Sequence, residues 1–410
     1  MSQSPNRLQA YGELALGIGL NLQPGQRLMI SAPIETAPLV RAIAASAYQL
    51  GAPLVDVSWS DDTLTRTRFE NAPRDSFKEF PEWRTRGMLE CAKRGDAFLS
   101  IVATDPELLN DQDPELITLA QRTRLKHSQE YIDYLSRMDV NWCVISVPIP
   151  SWAHKMFPDL HTDTAIARLW DAIATVCRLG EPDPVRAWEC HLEALQTRCD
   201  QLNEQRWSAL RFTGPGTDLT VGLADEHTWV GGQSQTPAGI WFTPNVPTEE
   251  VFTMPHRERV EGTVSSSVPL NYAGQLIENF SLAFRTGKVV EMKARTGEEV
   301  LRGLVDTDKG AGRLGEVALV PDSSPISQLG LLFYNTLFDE NAASHVALGR
   351  AYPGCVQSGE QMSEEDLAKH GANVSLTHVD FMIGSNQMDV AGVAADGSSQ
   401  ALMAQGEWVD

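Results

Sequence analysis

Between Asp339 and Ser385, three short pieces of this sequence concentrate residue types that can bind metal: DENAASH with Glu340 and His345, AYP with Tyr352, and LTHVDFMIGS with His378 and Asp380. His378 and Asp380 are separated by one residue in an expected strand. A period of two puts both side chains on one face, where they can share an ion. The pair also suits a satisfied core histidine beside a strand-end cap. DENAASH follows the apolar run LGLLFYNTLF, which would anchor it. Glu is a hard oxygen ligand, and His suits zinc, cobalt or manganese. Asp339, Glu340 and Asn341 equally suit a helix start, with carboxylates at the positive end of the dipole.

Two further carboxylate positions lie upstream. Glu316 stands at the entry to the apolar run VALV after the turn Gly312-Arg313-Leu314-Gly315, where its ordinary role would be a salt-bridge or sheet-edge residue. Glu249 and Glu250 follow a proline turn in NVPTEEVFTMP, where adjacent carboxylates often form a solvated cap. Together four separated segments supply Glu, Glu, Glu/His and His/Asp. That set matches a two-metal hydrolytic site, in which two cations roughly 3.5–4 Å apart need a bridging carboxylate and about four to six further ligands to activate a water and polarise a scissile carbonyl. Rival chemistries are poorer: there is no GxSxG elbow and no HExxH, Cys355 suits a small buried thiol, and His256 in MPHRER suits an exposed charged turn.

The elements that must position these residues divide into two kinds. In the first half, a helix over Leu8 to Leu20, a strand over Arg27 to Pro33, a helix over Glu35 to Ala52 and a strand in PLVDVSWSD make a parallel βαβ unit. The alternation continues through a helix in PEWRTRGMLECAKRGD, a strand from Ala97 to Thr104, one or two helices in QDPELITLAQRTRLKHSQEYIDYLSRMD, and a strand from Asn141 to Pro150. Thr162 to Gln205 reads as helix, interrupted at Leu179-Gly180 and Pro182 to Pro184. Beyond Trp207 the chain becomes short strands and turns: ALRFTGPGTDLTVGL, HTWVGG, GIWFTPNVP, VEGTVSSSVPL, IENFSLAFRTGKVVEMKAR, GEVALV and NVSLTHVDFMIGS, for which antiparallel pairing is simplest. Helices are expected in TGEEVLRGLVDTD and SEEDLAKHG. The expected architecture is an α/β N-terminal domain, residues 1–206, with a largely parallel open sheet, and an α+β C-terminal domain, residues 207–410, carrying the metal site.

Composition limits the partners. Lys+Arg 33 against Asp+Glu 54 gives a formal charge of -21, so the average surface repels phosphate backbones and anionic lipids, and nucleic acid is an unfavourable partner. The α/β first half has no GxGxxG or GxxxxGK[ST] loop to mark a phosphate site. Six cysteines without a CxxC pair suit reduced thiols, and no run of about 18 apolar residues marks a membrane span. These features favour a cytoplasmic protein with no membrane partner.

NVPTEEVFTMP, LGEVALV, NTLFDENAASHVALGRAYP and THVDFMIGS resemble, in order and spacing, the thermophilic aminopeptidase family (the M29 metallopeptidases), and LQPGQRLMISAP and AYQLGAPLVDVSW extend the likeness to nearly the whole chain. The resemblance implies a cytoplasmic homodimer that removes N-terminal residues from peptides with a free N-terminus, using two divalent ions (zinc, cobalt, manganese or magnesium). Carried over, the metal ligands are Glu250, Glu316, Glu340, His345, His378 and Asp380, with Glu316 as the bridge. Glu340 is either a ligand or the general base, and Tyr352 hydrogen-bonds the substrate or the tetrahedral intermediate. One metal, or a carboxylate such as Glu249, would bind the α-amine. Two other readings stay open: a metal-dependent hydrolase of another amide or ester, and a non-catalytic α/β binding protein whose carboxylates and histidines are structural.

Overall fold

A computed structural model describes residues 5–409. Its contacts fall into two compact units: one comprises Met1–Gln112, His127–Glu193 and Gly232–Thr248, the other Asp113–Lys126, Ala194–Gly231 and Glu249–Asp410.

In the first unit, four parallel strands lie in the order Val55–Ser60, Leu28–Pro33, Ala97–Ile101, Trp142–Ile145. Parallel neighbours require crossovers, and helices supply them, beginning with Ala37–Gln49 between the first two strands in sequence. Leu28, Ile30, Leu99 and Ile145 are buried on the sheet, while Tyr11, Ile43, Trp152 and Trp170 fill the helical layers. The parallel α/β organisation expected from the alternating pattern is therefore present.

Two local readings change and one open choice is resolved. The first helix is regular only over Pro5–Leu14 and continues as a wider π turn over Ala15–Gly19. The strand expected up to Pro150 stops at Ile145, because Pro148 and Pro150 lack the N–H a ladder needs, and Pro150 instead opens a helix to Met156. QDPELITL… forms one helix, Pro114–Ser136.

The second unit is antiparallel. Its larger sheet has nine strands, among them the hairpin Gln275–Arg285 with Lys288–Thr296. Thr286 and Gly287 turn that hairpin with φ of 49° and 72°, the positive pair that matches strand twist. The smaller sheet runs His378–Met382, His345–Gly349, Leu314–Leu319, Val251–Thr253. The two helices expected in the second half form as Glu298–Val305 and Glu364–Lys369, the latter capped by the Ser363 hydroxyl accepting from the Asp366 N–H. HTWVGG is not a strand: His227 and Val230 make only isolated bridges, to Val356 and Phe252.

Register in the smaller sheet explains how the site is built. Glu316 pairs with Ala347, and Ala347 pairs with Asp380; Ala318 pairs with His345, and Gly349 with His378. Side chains directly opposite share a face, so Glu316, His345, His378 and Asp380 project together. The other face carries Val317, Leu319, Val346, Leu348 and Phe381, all in the main core of the unit, with Val379 packed against it. One period of two thus places the oily side chains on one face and the metal-capable ones on the other.

Candidate active site

Glu316 lies on an interior strand and is 4 % exposed, which removes the sheet-edge reading of this carboxylate. Its two oxygens diverge: Oε1 is 3.5 Å from His345 Nε2, and Oε2 is 3.6 Å from His378 Nε2. Glu250, in the loop before Val251–Thr253, brings Oε2 to 2.9 Å from the same His345 nitrogen. Asp380 Oδ1 lies 3.3 Å from His378 Nε2. Two donor groups result, Glu250 with Glu316 and His345, and Glu316 with His378 and Asp380, each with its ligand atoms within 4.8 Å of one another. Glu316 belongs to both.

The small residues on this face leave the space. Ala347 stands between Glu316 and Asp380, and Ala318 and Gly349 stand opposite the histidines. Gly349 has φ of +110°, and a Cβ there would run into the Thr377 carbonyl. Only glycine meets both demands at that position.

Backbone carbonyls orient the imidazoles. His345 Nδ1 is 3.1 Å from the Ala343 carbonyl and His378 Nδ1 is 2.7 Å from that of Arg350. Each Nδ1 therefore donates, leaving Nε2 to face the carboxylates, the arrangement ligating histidines adopt. These two carbonyls are partners of the imidazoles that no side-chain pattern in the sequence could announce. Asp308 ties the loop before His378 in place by accepting from the Leu376 N–H at 2.6 Å and the Ser375 hydroxyl at 3.0 Å.

Glu340 is 8 % exposed and occupies a 3-10 turn, Glu340–Ala342, that closes the short helix Thr336–Asp339. The helix-start reading of Asp339, Glu340 and Asn341 is thereby corrected: Asn335 caps the helix through the Leu337 N–H, and Asp339 accepts from the N–H groups of Phe333 and Asn335 at 2.8 and 3.0 Å. Tyr352 is half-buried, its ring edge-on to His378 at 4.7 Å and to Phe252 at 6.2 Å. Glu249 is buried beside Glu250. Cys355 is buried in a small apolar cluster, and His256 is half-buried rather than exposed.

The electrostatics call for a cation. Burial pushes the Glu316 carboxyl up to about 7, with Asp380 and Glu250 adding to the rise against His345 and His378. Burial, then Asp380 and Glu250, lift Glu340 well above the carboxylate range. Burial alone would lower both histidines, yet the carboxylates outweigh it, raising His345 well above its ordinary value and His378 to about 9. Burial also opposes ionisation of Asp380, but His378 overrides it and holds this carboxyl low. In addition, Glu250 Oε2 and His345 Nε2 face each other at 2.9 Å, and Asp380 Oδ1 faces His378 Nε2 at 3.3 Å, all buried and without the alignment of a good hydrogen bond. Buried polar atoms in that state are costly unless something pairs with them. A divalent cation fits: the donors are carboxylate oxygens and imidazole nitrogens, which suit zinc, cobalt or manganese, and magnesium less well.

Comparison with known proteins agrees with this chemistry. The model of the thermophilic metalloprotease (M29) family matches residues 4–408. The chain is 47% identical over 408 residues to "Aminopeptidase 2" of Geobacillus stearothermophilus, covering 100% of this chain and 99% of the relative. It is 45% identical over 409 residues to "Aminopeptidase T" of Thermus thermophilus, covering 100% of each. The solved structure of wild-type AmpT from Thermus thermophilus superposes with a TM-score of 0.90 at 44% identity, covering 99% of both chains. This chain belongs to the M29 family of thermophilic metalloproteases, and is a hydrolase.

Proposed function

We propose that this protein is a two-metal aminopeptidase acting on peptides with a free N-terminus. Glu250, Glu316 and His345 would hold one divalent cation, and Glu316, His378 and Asp380 the other, with Glu340 alongside as ligand or general base. The observation that carries this reading is the split of the Glu316 oxygens between the two histidines. Cations bound there would polarise the substrate carbonyl and a water molecule.

The protein's own groups supply the rest. Burial, followed by Glu316 and Asp380, raises the Tyr352 phenol well above its ordinary value, so it stays protonated and can donate to an oxyanion. Glu340, buried in the turn after Thr336–Asp339, is the carboxylate that as general base would take a proton from water and pass it to the leaving amine. Glu249, next to Glu250 and buried, is the carboxylate we assign to the substrate α-amine. The names of the relatives, all aminopeptidases, support this choice of substrate. A cytoplasmic homodimer completes the proposal; among the described residues no helix is long and apolar enough to cross a membrane.

The test is chelation followed by refilling with cobalt, zinc or manganese, using aminoacyl p-nitroanilides and matched free and N-acetylated peptides. About two metals per chain by elemental analysis, activity restored on refilling, and no cleavage of acetylated peptides are expected. A fully metal-loaded protein without peptidase activity would refute the aminopeptidase reading, and cleavage of acetylated peptides at the same rate would refute the free-amine requirement. Light scattering checks the dimer.

A further inference from the structure

We infer that Asn341 is a positioning residue that locks the Glu249–Glu250 loop to the Glu340 turn and thereby sets the metal affinity of the site. The inference rests on the site proposed above. Asn341 is fully buried at 0 % exposure, although an amide carries two donors and an acceptor that all need partners. Its Oδ1 accepts from the backbone N–H of Glu249 at 2.7 Å, across 92 positions of sequence. Its Nδ2 donates to the Leu337 carbonyl at 2.9 Å and to Glu340 Oε1 at 3.4 Å.

One amide therefore touches both carboxylate-bearing segments that lie outside the ligand-bearing strands. The Glu249 bond fixes the backbone next to Glu250, which precedes the strand Val251–Thr253. The Glu340 contact fixes a carboxylate oxygen directly. The Leu337 bond anchors the amide to the helix whose end carries Glu340. In a water-excluded setting such bonds are strong, and a lost partner is not replaced by solvent. Serine is too short to span these groups, aspartate has no donor for Glu340 or Leu337, and glutamine is one methylene too long for a filled site.

The experiment titrates metal-stripped protein with cobalt, following the visible absorption of the bound ion, which reports ligand number and geometry, alongside activity and circular dichroism. Asn341→Ala should weaken cobalt binding by about 10–100-fold, the usual cost of losing an outer-shell partner, and alter the absorption band. Asn141→Ala serves as the control. Asn141 is also fully buried and bonded, to the Leu20 carbonyl at 2.7 Å and to Gln26, but belongs to the other unit, so it should keep wild-type cobalt affinity and spectrum. If Asn341→Ala lacks a native dichroism spectrum, Asn341→Ser takes its place with the same expectation. Wild-type cobalt affinity and spectrum in a folded Asn341 variant would overturn the inference alone, as would an equal loss in Asn141→Ala. A wild-type chain that takes up no cobalt would overturn the site reading and the inference with it.

Discussion

Ala347 offers a direct probe of the proposed metal positions. It is fully buried, and its strand separates those of Glu316 and Asp380. With neighbouring strands roughly 4.8 Å apart, those two backbones stand about 10 Å from each other, and their carboxylates close the gap above the Ala347 methyl. A metal–oxygen bond of about 2.0–2.2 Å leaves no room there for a larger side chain. Ala347→Val adds two methyl groups to that floor. Overpacking should cost about 1–3 kcal/mol in the metal-free protein. The larger effect should fall on the metal. At a free cobalt concentration a thousand times Kd, filling one of the two proposed sites stabilises the wild type by about 4 kcal/mol. At roughly 2–4 °C per kcal/mol for a domain of 150–250 residues, that is a rise in Tm of about 8–16 °C. The valine variant should show almost none of it. Thermal melts with and without cobalt, after chelator treatment, give both quantities in one series. A full cobalt-induced rise in Ala347→Val would refute the placement of metal over this row, whatever the activity.

Other expectations follow from the same geometry. Glu316→Gln removes the carboxylate common to both donor groups, so activity should fall by more than about 100-fold with metal content while circular dichroism stays near wild type; wild-type turnover would take Glu316 out of the site. Tyr352→Phe should lower kcat by about 10²-fold with KM little changed, as for loss of an oxyanion donor, and steady-state kinetics on one substrate decides it. Gly349→Ala forces a side chain into positive φ and against the Thr377 carbonyl, so urea denaturation should show a loss of about 3 kcal/mol or more; an unchanged midpoint would mean the strand relaxes freely.

The parallel first half was readable because buried strands and amphipathic helices differ in period, and the errors there came from proline and from a π turn that periodicity does not encode. In the second half the pattern was read correctly where strands alternate, as in LGEVAL and HVDFM, and incorrectly where a strand-like run such as HTWVGG makes only isolated bridges. The role of DEN as a helix end depended on Asn335 taking the cap position, a choice settled by backbone hydrogen bonding rather than composition.

By itself the sequence determined which residues have metal-binding chemistry, because Glu, His and Asp are identifiable by type, and that His378 and Asp380 share a face, because strand period is local. It determined family membership through motifs in a fixed order. It could not determine which carboxylate faces which imidazole: Glu316 reaches both histidines only because antiparallel register sets it opposite Ala347 and, one strand further, Asp380. Nor could it show that small residues open the space between them, that two backbone carbonyls orient the imidazoles, or that Asn341 joins loops 92 positions apart. These are through-space relations, created when strands distant in the chain pair, and only the tertiary structure decides them.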